Sequence, residues 1–177
     1  MPQARLNYED SCRRLHGSYL KPGVIPPMRD HLPQIDDPAP LGESFFRTFV
    51  GAGVDLCHLT LPRTFFGRSE INGASICNTD LTESNFCWND FIEVDFTTAV
   101  LARSDLRASV FERVKFVNTD LRSADMRRSS FHDCDFEGAL MEGAVLTPSQ
   151  RPDLRLSQEQ RDEITWVNSS GPEPNGG

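Results

Sequence analysis

The sequence predicts an all-β solenoid: a square coil of about five turns, closed at its C-terminal end by a short helix. Three observations carry this expectation. Large apolar residues recur every five positions from Leu56 to Leu146, at 19 consecutive positions without a gap or a slip. Two residues before each lies a second column, running from Val54 to Ala144, that is small everywhere except at Leu59 and Asn89. Aspartate or asparagine often stands between the two columns, as at Asp80, Asn85, Asp95, Asp105, Asp120 and Asp125.

A period of five fits neither ordinary element. On an α-helix five steps rotate the chain by about 140°, so the large residues would circle the axis without forming a stripe. On a flat strand an odd step sends successive large residues to opposite faces. Frequent Ser, Thr, Asn, Asp and Val also disfavour a long helix. A single apolar interior therefore requires the chain to turn a corner once per repeat. Four such sides close a square, and stacked squares pair their backbones at the usual strand spacing of about 4.8 Å.

The tripeptides "SDL", "TDL", "ADM" and "CDF", with "EVDF", recur in this register and resemble the pentapeptide-repeat proteins, whose motif is A-(D/N)-L-x-x. The resemblance spans 54–148 and implies a right-handed quadrilateral β-helix with twenty residues per coil. It further implies that the large and small columns face inward and the other three residues of each repeat face outward. Steps of twenty then name the inner stacks. Leu56, Ile76, Phe96, Phe116 and Phe136 line the first side, and Leu61, Leu81, Leu101, Leu121 and Met141 the second. Phe66, Phe86, Leu106, Met126 and Leu146 line the third, and Ile71, Phe91, Phe111 and Phe131 the fourth. Ser69, Asn89, Ser109 and Ser129 fall on one side, where hydroxyl and amide groups are placed to bond between coils.

A solenoid exposes unpaired backbone at both ends and needs caps. The repeat domain is bounded at 41–148, with 41–53 read as an imperfect first coil in which Phe46 keeps phase and Gly51 fills a large slot. Residues 1–40 form a proline-rich arm whose six prolines between Pro22 and Pro40 forbid a regular element there. Two readings of the arm stand: a wrap anchored by Leu20, Val24, Ile25, Met28 and Leu32, or disorder. Residues 149–167 read as a capping segment. In it Ser157 and Gln160 form a capping box for a helix over 158–167, which covers the last coil or mediates a dimer. The tail 168–177 reads as disordered.

Composition narrows function. The 177 residues carry a net charge of −8, and a pI near 5.0 argues against a direct nucleic-acid or anionic-membrane binder. No run approaches the roughly 18 apolar residues of a membrane span. The start "MPQARLNYED" lacks the apolar core of a secretory signal, so a cytoplasmic location is expected. Five cysteines, an odd number without a C-x-x-C pair, point to reduced thiols and no zinc ribbon. Cys57 and Cys77 share one outward column on consecutive coils, about 5 Å apart and within disulfide range, but a cytoplasm would keep them reduced.

No catalytic site, cofactor or metal site is written in the repeats. His132 and Cys134 of "HDCD" fall on opposite sides of the wall and cannot share an ion. An enzyme would have to draw on His16 or His31 in the arm, and no motif supports that. The outer surface instead has sorted charge. The fourth side carries Glu70, Asp90, Glu93, Glu112 and Asp133 against Arg113, and the first adds Asp55, Asp95, Asp135 and Glu137 against Lys115. The second and third sides are rich in arginine. Trp88 faces outward one coil from Arg68, placed for a cation–π contact, and exposed Trp and Arg are common binding anchors. The candidate partner-binding residues are therefore Glu70, Asp90, Glu93, Glu112, Asp133, Trp88 and Arg68. The expected function is a non-enzymatic protein-binding solenoid acting through a charged flat face, of immunity or inhibitor type. The resemblance implies an alternative: a DNA mimic that binds and protects DNA gyrase, as quinolone-resistance members do. Monomer and dimer both remain open.

Overall fold

The computed structural model describes residues 3–19, 44–46 and 48–168. The proline-rich stretch with its proposed anchors, His31, and the tail from residue 169 lie outside the described residues. The elements in chain order are α1 (Tyr8–Tyr19), β1 (Ser44–Phe46), β2 (Phe49–Val50), β3 (Phe65–Gly67), β4 (Glu70–Asn72), β5 (Asp90–Ile92), β6 (Val110–Glu112), β7 (Ser130–His132) and β8 (Val145–Leu146). A 3-10 segment (Pro148–Asp153), α2 (Gln158–Glu163) and β9 (Thr165–Trp166) follow.

All pairing is parallel, and within the repeats its offset is one coil of twenty residues. Ile71 faces Phe91, Phe91 faces Phe111 and Phe111 faces Phe131 along the fourth side. Single bridges mark the other sides: Asp55–Ser75–Asp95–Lys115–Asp135, Thr60–Asp80–Val100–Asp120–Leu140, and Asn85–Asp105–Asp125–Val145. Four ladders running along one axis make a quadrilateral β-helix.

The corner is built by backbone that L-residues rarely adopt. The second residue after each large one has positive φ, as at Trp88 (61°), Thr98 (59°) and Arg113 (52°). On three of the sides the large residue's carbonyl accepts from the N–H three residues on, as Phe96 does from Ala99 at 2.9 Å. A positive φ at the third position of such a turn is the type II geometry. The motif aspartate has a local task there. Its carboxylate accepts the N–H two residues on, at 2.9 Å for Asp95 and Thr97 and 3.1 Å for Asp105 and Arg107, which fixes the start of each turn.

Inside, the large column is buried and stacked. Phe111 is fully buried, with its ring parallel to Phe91 at 5.0 Å and to Phe131 at 5.2 Å. Phe116 lies edge-on to it at 5.4 Å. The small column satisfies the inner backbone. Ser109 Oγ donates to the Phe86 carbonyl at 2.7 Å and accepts the Asn89 N–H at 3.1 Å. Asn89 repeats the pattern toward Phe66 and Ser69, both at 2.7 Å. These groups do bond between coils, as the sequence suggests.

Both ends are capped, and here the structure departs from the sequence reading. Residues 1–40 are not an irregular arm throughout, because α1 precedes the prolines and lies on the first coil. Leu15 and Ser11 of α1 are fully buried. Ser11 Oγ accepts the Thr60 N–H at 2.8 Å, and the Leu6 N–H donates to the His58 carbonyl at 2.8 Å. Asn7 caps α1 by accepting the Asp10 N–H at 2.9 Å. The half-coil β1–β2 is in register one residue away from the expectation: Phe45 faces Phe66 and Val50 faces Ile71. Val50, not Gly51, therefore fills the large slot. The extra residue is absorbed between Gly53, which has φ 80° and whose N–H still meets Gly73 O at 3.1 Å in the offset of β1–β2, and Asp55, which bridges Ser75 in the twenty-residue offset.

At the other end α2 stops at Glu163, short of the expected 167, because Thr165–Trp166 leaves the helix to pair with β8 on the third side. Leu154, Leu156 and Ile164 complete the core, so this segment covers the last coil. Cys57 and Cys77 are joined by a disulfide with Cα atoms 4.5 Å apart, where reduced thiols were expected. Parallel pairing brings equivalent outward positions of successive coils to bonding distance, and Cys57 is buried.

Candidate interaction surface

The register divides the fourth side into two outer columns. Beside the corner with the third side stand Phe49, Glu70, Asp90, Val110 and Ser130, each paired to the next. Arg68 and Trp88 occupy the left-handed corner positions two residues before Glu70 and Asp90. Glu93, Glu112 and Asp133 stand at the opposite corner, toward the first side. The seven residues singled out from the sequence thus all face outward, but they form two groups rather than one acidic sheet.

Those two groups differ in charge balance. Arg113 bonds Glu93 at 2.9 Å and contacts Glu112 as well, and both carboxylates hold its guanidinium above the ordinary value. Arg155, from the C-terminal cap, reaches Asp133 at 3.3 Å. Arg14 of α1 likewise pairs with Asp55 at 2.9 Å on the first side. The acidic edge is therefore less acidic than the repeats alone suggest, because both caps add arginines to it. Glu70 and Asp90 have no ion-pair partner among the described residues.

On the second and third sides most charges pair with one another. Arg107 is bidentate to Asp105, at 2.9 and 2.7 Å, and approaches Asp125 at 3.7 Å. Arg127 repeats this with Asp125 at 2.7 Å, and Arg122 with Asp120 at 2.6 Å. The hydrogen bond from Arg122 holds the Asp120 carboxyl below its ordinary value.

Trp88 is 44% exposed and Phe49 is 54% exposed. The Trp88 indole N–H has no acceptor among the described residues. The stacking expected between Arg68 and Trp88 does not form; both side chains leave the wall from left-handed corners, and register alone does not lay one on the other. The guanidinium–indole contact among the described residues is instead Arg151 over Trp166, at 4.4 Å, in the cap. A recess of about 730 Å³ beside it is lined by Arg151, Leu154, Leu156, Arg161, Ile164 and Trp166. Sequence reasoning did not place these cap residues on one surface, since the β8–β9 pairing that gathers them leaves no repeat signature.

Cys134 points inward, with Sγ 3.3 Å from the Phe111 carbonyl, while His132 is exposed. No group of three or more His, Cys, Asp or Glu is placed to hold a metal ion among the described residues. The His16 side chain lies outside them. No helix among them is long and apolar enough to cross a membrane.

Four parallel ladders, inward large and small columns and flat outer sides define a β-helical solenoid whose chemistry is confined to its surface. Residues 69–107, 90–128 and 104–143 match the family of pentapeptide repeats, with 8 copies. Residues 69–143 therefore form a pentapeptide-repeat region. A search of curated proteins returned no match. Among solved structures it is similar to HetL, a pentapeptide repeat protein involved in heterocyst differentiation regulation from Nostoc sp. strain PCC 7120. That match has 14% identity and a TM-score of 0.54, over 58% of this chain and 49% of that one. The chain thus spans about half the length of HetL. A pentapeptide repeat protein from the Arabidopsis thaliana thylakoid lumen matches with 21% identity and TM-score 0.47, over 69% of this chain and 81% of that one. QnrB1, a plasmid-mediated fluoroquinolone resistance protein, matches with 12% identity and TM-score 0.44, over 72% and 85%. At these identities the likeness concerns the fold.

Proposed function

We propose that the chain is a non-enzymatic protein-binding solenoid, of immunity or inhibitor type, that docks its partner at the corner between the third and fourth sides. One observation carries this reading. Most outward charges along the four sides find a partner within the chain, whereas Glu70 and Asp90 are two unpaired carboxylates stacked on each other beside an exposed Trp88. An exposed tryptophan gains on being covered, and the carboxylates beside it gain only from a partner that brings the opposite charge. The test is co-purification from the host with Trp88→Ala and with Glu70→Lys/Asp90→Lys. Loss of the same partner from both variants is expected; retention by both places the interface elsewhere.

The alternative, a DNA mimic that protects DNA gyrase, requires a line of carboxylates that stand in for phosphates. Arg113 and Arg155 interrupt that line at Glu93, Glu112 and Asp133, which favours the first reading. A supercoiling assay with purified gyrase separates the two: protection from quinolone poisoning at micromolar protein would support the mimic.

A further inference from the structure

Glu70 and Asp90 are directly paired on β4 and β5, so two like charges sit one strand spacing apart, an arrangement that is destabilising by itself. Elsewhere the chain answers the same arrangement with an arginine. On the adjacent third side, Asp105 and Asp125 are stacked in the same way. There Arg107, two residues after Asp105, binds Asp105 at 2.7 Å and leans to Asp125 at 3.7 Å. At the fourth-side pair the equivalent positions two residues on hold Asn72 and Ile92, neither of which carries charge. Arg68 is the nearest cation by register, and it makes no ion pair among the described residues. The pair therefore has the acceptors of a guanidinium site without the guanidinium.

We propose that this vacancy receives an arginine side chain of a protein partner, its guanidinium bridging Glu70 and Asp90 as Arg107 bridges Asp105 and Asp125, with the Trp88 ring beside it. This rests on the docking surface proposed above and specifies what that surface recognises. Arginine fits better than lysine for a physical reason. Two carboxylates a strand spacing apart match a planar fork with several donors, and a guanidinium also stacks on an aromatic ring, whereas an ammonium is a strongly hydrated point charge. The Trp88 ring, 44% exposed, supplies the stacking face. Phe49, next on the same column above Glu70, adds apolar area for the segment that carries the arginine.

The probe is an acetylated, amidated Gly-Arg-Gly-Arg-Gly peptide, titrated into 15N-labelled protein, with Gly-Lys-Gly-Lys-Gly and calcium chloride as rivals. The expected result is a saturable shift of the Trp88 indole N–H and of the Glu70 and Asp90 amides with the arginine peptide, and weaker binding of the lysine peptide. The shifts should vanish in Glu70→Gln/Asp90→Asn and persist in Asp95→Asn/Asp135→Asn, a control on the first side. Equal shifts with calcium or lysine, or shifts that survive Glu70→Gln/Asp90→Asn, would overturn the proposal. Failure here is distinguishable from failure of the docking reading. If the arginine peptide does not bind while the co-purified partner still depends on Trp88, the surface stands and its arginine chemistry is wrong. If the peptide binds while partner capture ignores Trp88, the site is real and the docking reading falls.

Discussion

At the scale of single residues, the corner positions set the local energetics. Each asks an L-residue to adopt the left-handed region, which costs roughly 1–2 kcal/mol for most side chains and less for asparagine or glycine. Thr98 is the poorest occupant, since it is β-branched at φ 59°, and the same corner one coil to either side holds Asn78 (φ 52°) and Asn118 (φ 53°). Thr98→Asn, which completes that asparagine column, should stabilise the protein by about 0.5–1 kcal/mol. A urea midpoint that stays put or falls would show that the corner is not strained. Gly138 is the converse case: at φ 66° an added Cβ would press into the Asn118 side chain, so Gly138→Ala should destabilise. Two cysteines are quiet for a related local reason. Burial, and then the Asp105 charge, raises the Cys87 thiol from 9.0 to about 11, and burial also raises Cys134. The folded state thus disfavours the Cys87 thiolate, so its contribution to stability is intact below pH 9 and is lost as pH rises toward 11. At pH 8 both should resist iodoacetamide in the native protein and label fully after unfolding, as mapped by mass spectrometry.

At the scale of elements, two glutamines close the solenoid by the same chemistry. Gln150 Oε1 accepts the Thr147 N–H at 2.7 Å, while its Nε2 donates to the carbonyls of Met126 and Ser129 at 2.9 and 2.7 Å. Ten residues on, Gln160 accepts from Ser157 at 3.0 Å and donates to Phe136 and Ala139 at 2.8 and 3.0 Å. Each side chain thus completes a capping box and fills two carbonyls that the next coil would otherwise satisfy. Glutamate preserves the accepting half and removes the donor. Gln150→Glu, at a buried position, should therefore cost about 1–3 kcal/mol and more than Gln160→Glu; equal midpoints in urea would refute this account of the cap. The Ser157–Gln160 box is legible in the sequence because it is local. The end of α2 is not, since Thr165–Trp166 leaves the helix for a pairing partner some twenty residues back. α1 has a readable start, Asn7 with Glu9 and Asp10 in the first turn, but its buried anchors Ser11 and Leu15 make too thin an apolar stripe to announce a cap. The one-residue slip between Gly53 and Asp55 has the same cause: a period identifies register only where enough repeats share it. Counting by five places Glu70, Trp88 and Asp90 correctly on the outside. It cannot see Arg14 and Arg155, which reach the acidic edge from outside the repeats.

At the scale of the whole molecule, a solenoid is a stack in which each coil holds only its neighbours. Phe111 sits mid-stack with rings on both sides, and Phe111→Ala should cost about 3–5 kcal/mol; an unchanged melting temperature would mean the inward assignment is wrong. The N-terminal coil is different, because α1 and a half-coil cover it in place of a full neighbour. There the Cys57–Cys77 disulfide, spanning 20 residues, ties the first coil to the second. Closing a loop of that length removes chain entropy worth about 3 kcal/mol from the unfolded state. In a nearest-neighbour stack the loss of the tie should also be felt locally, since the end coil has least else to hold it. Reduction with a phosphine should therefore speed hydrogen exchange at the amides of Leu56, His58 and Leu61, which donate to Ser75, Cys77 and Asp80 across that first interface. Under the same conditions the amides of Phe96, Thr98 and Leu101, which donate to Lys115, Val117 and Asp120 two coils further on, should change much less. Cys57→Ser/Cys77→Ser should reproduce the reduced pattern and abolish any further response to the phosphine. A uniform acceleration along all coils would show that the stack opens as one unit, and that the disulfide is not a local staple of its N-terminal end.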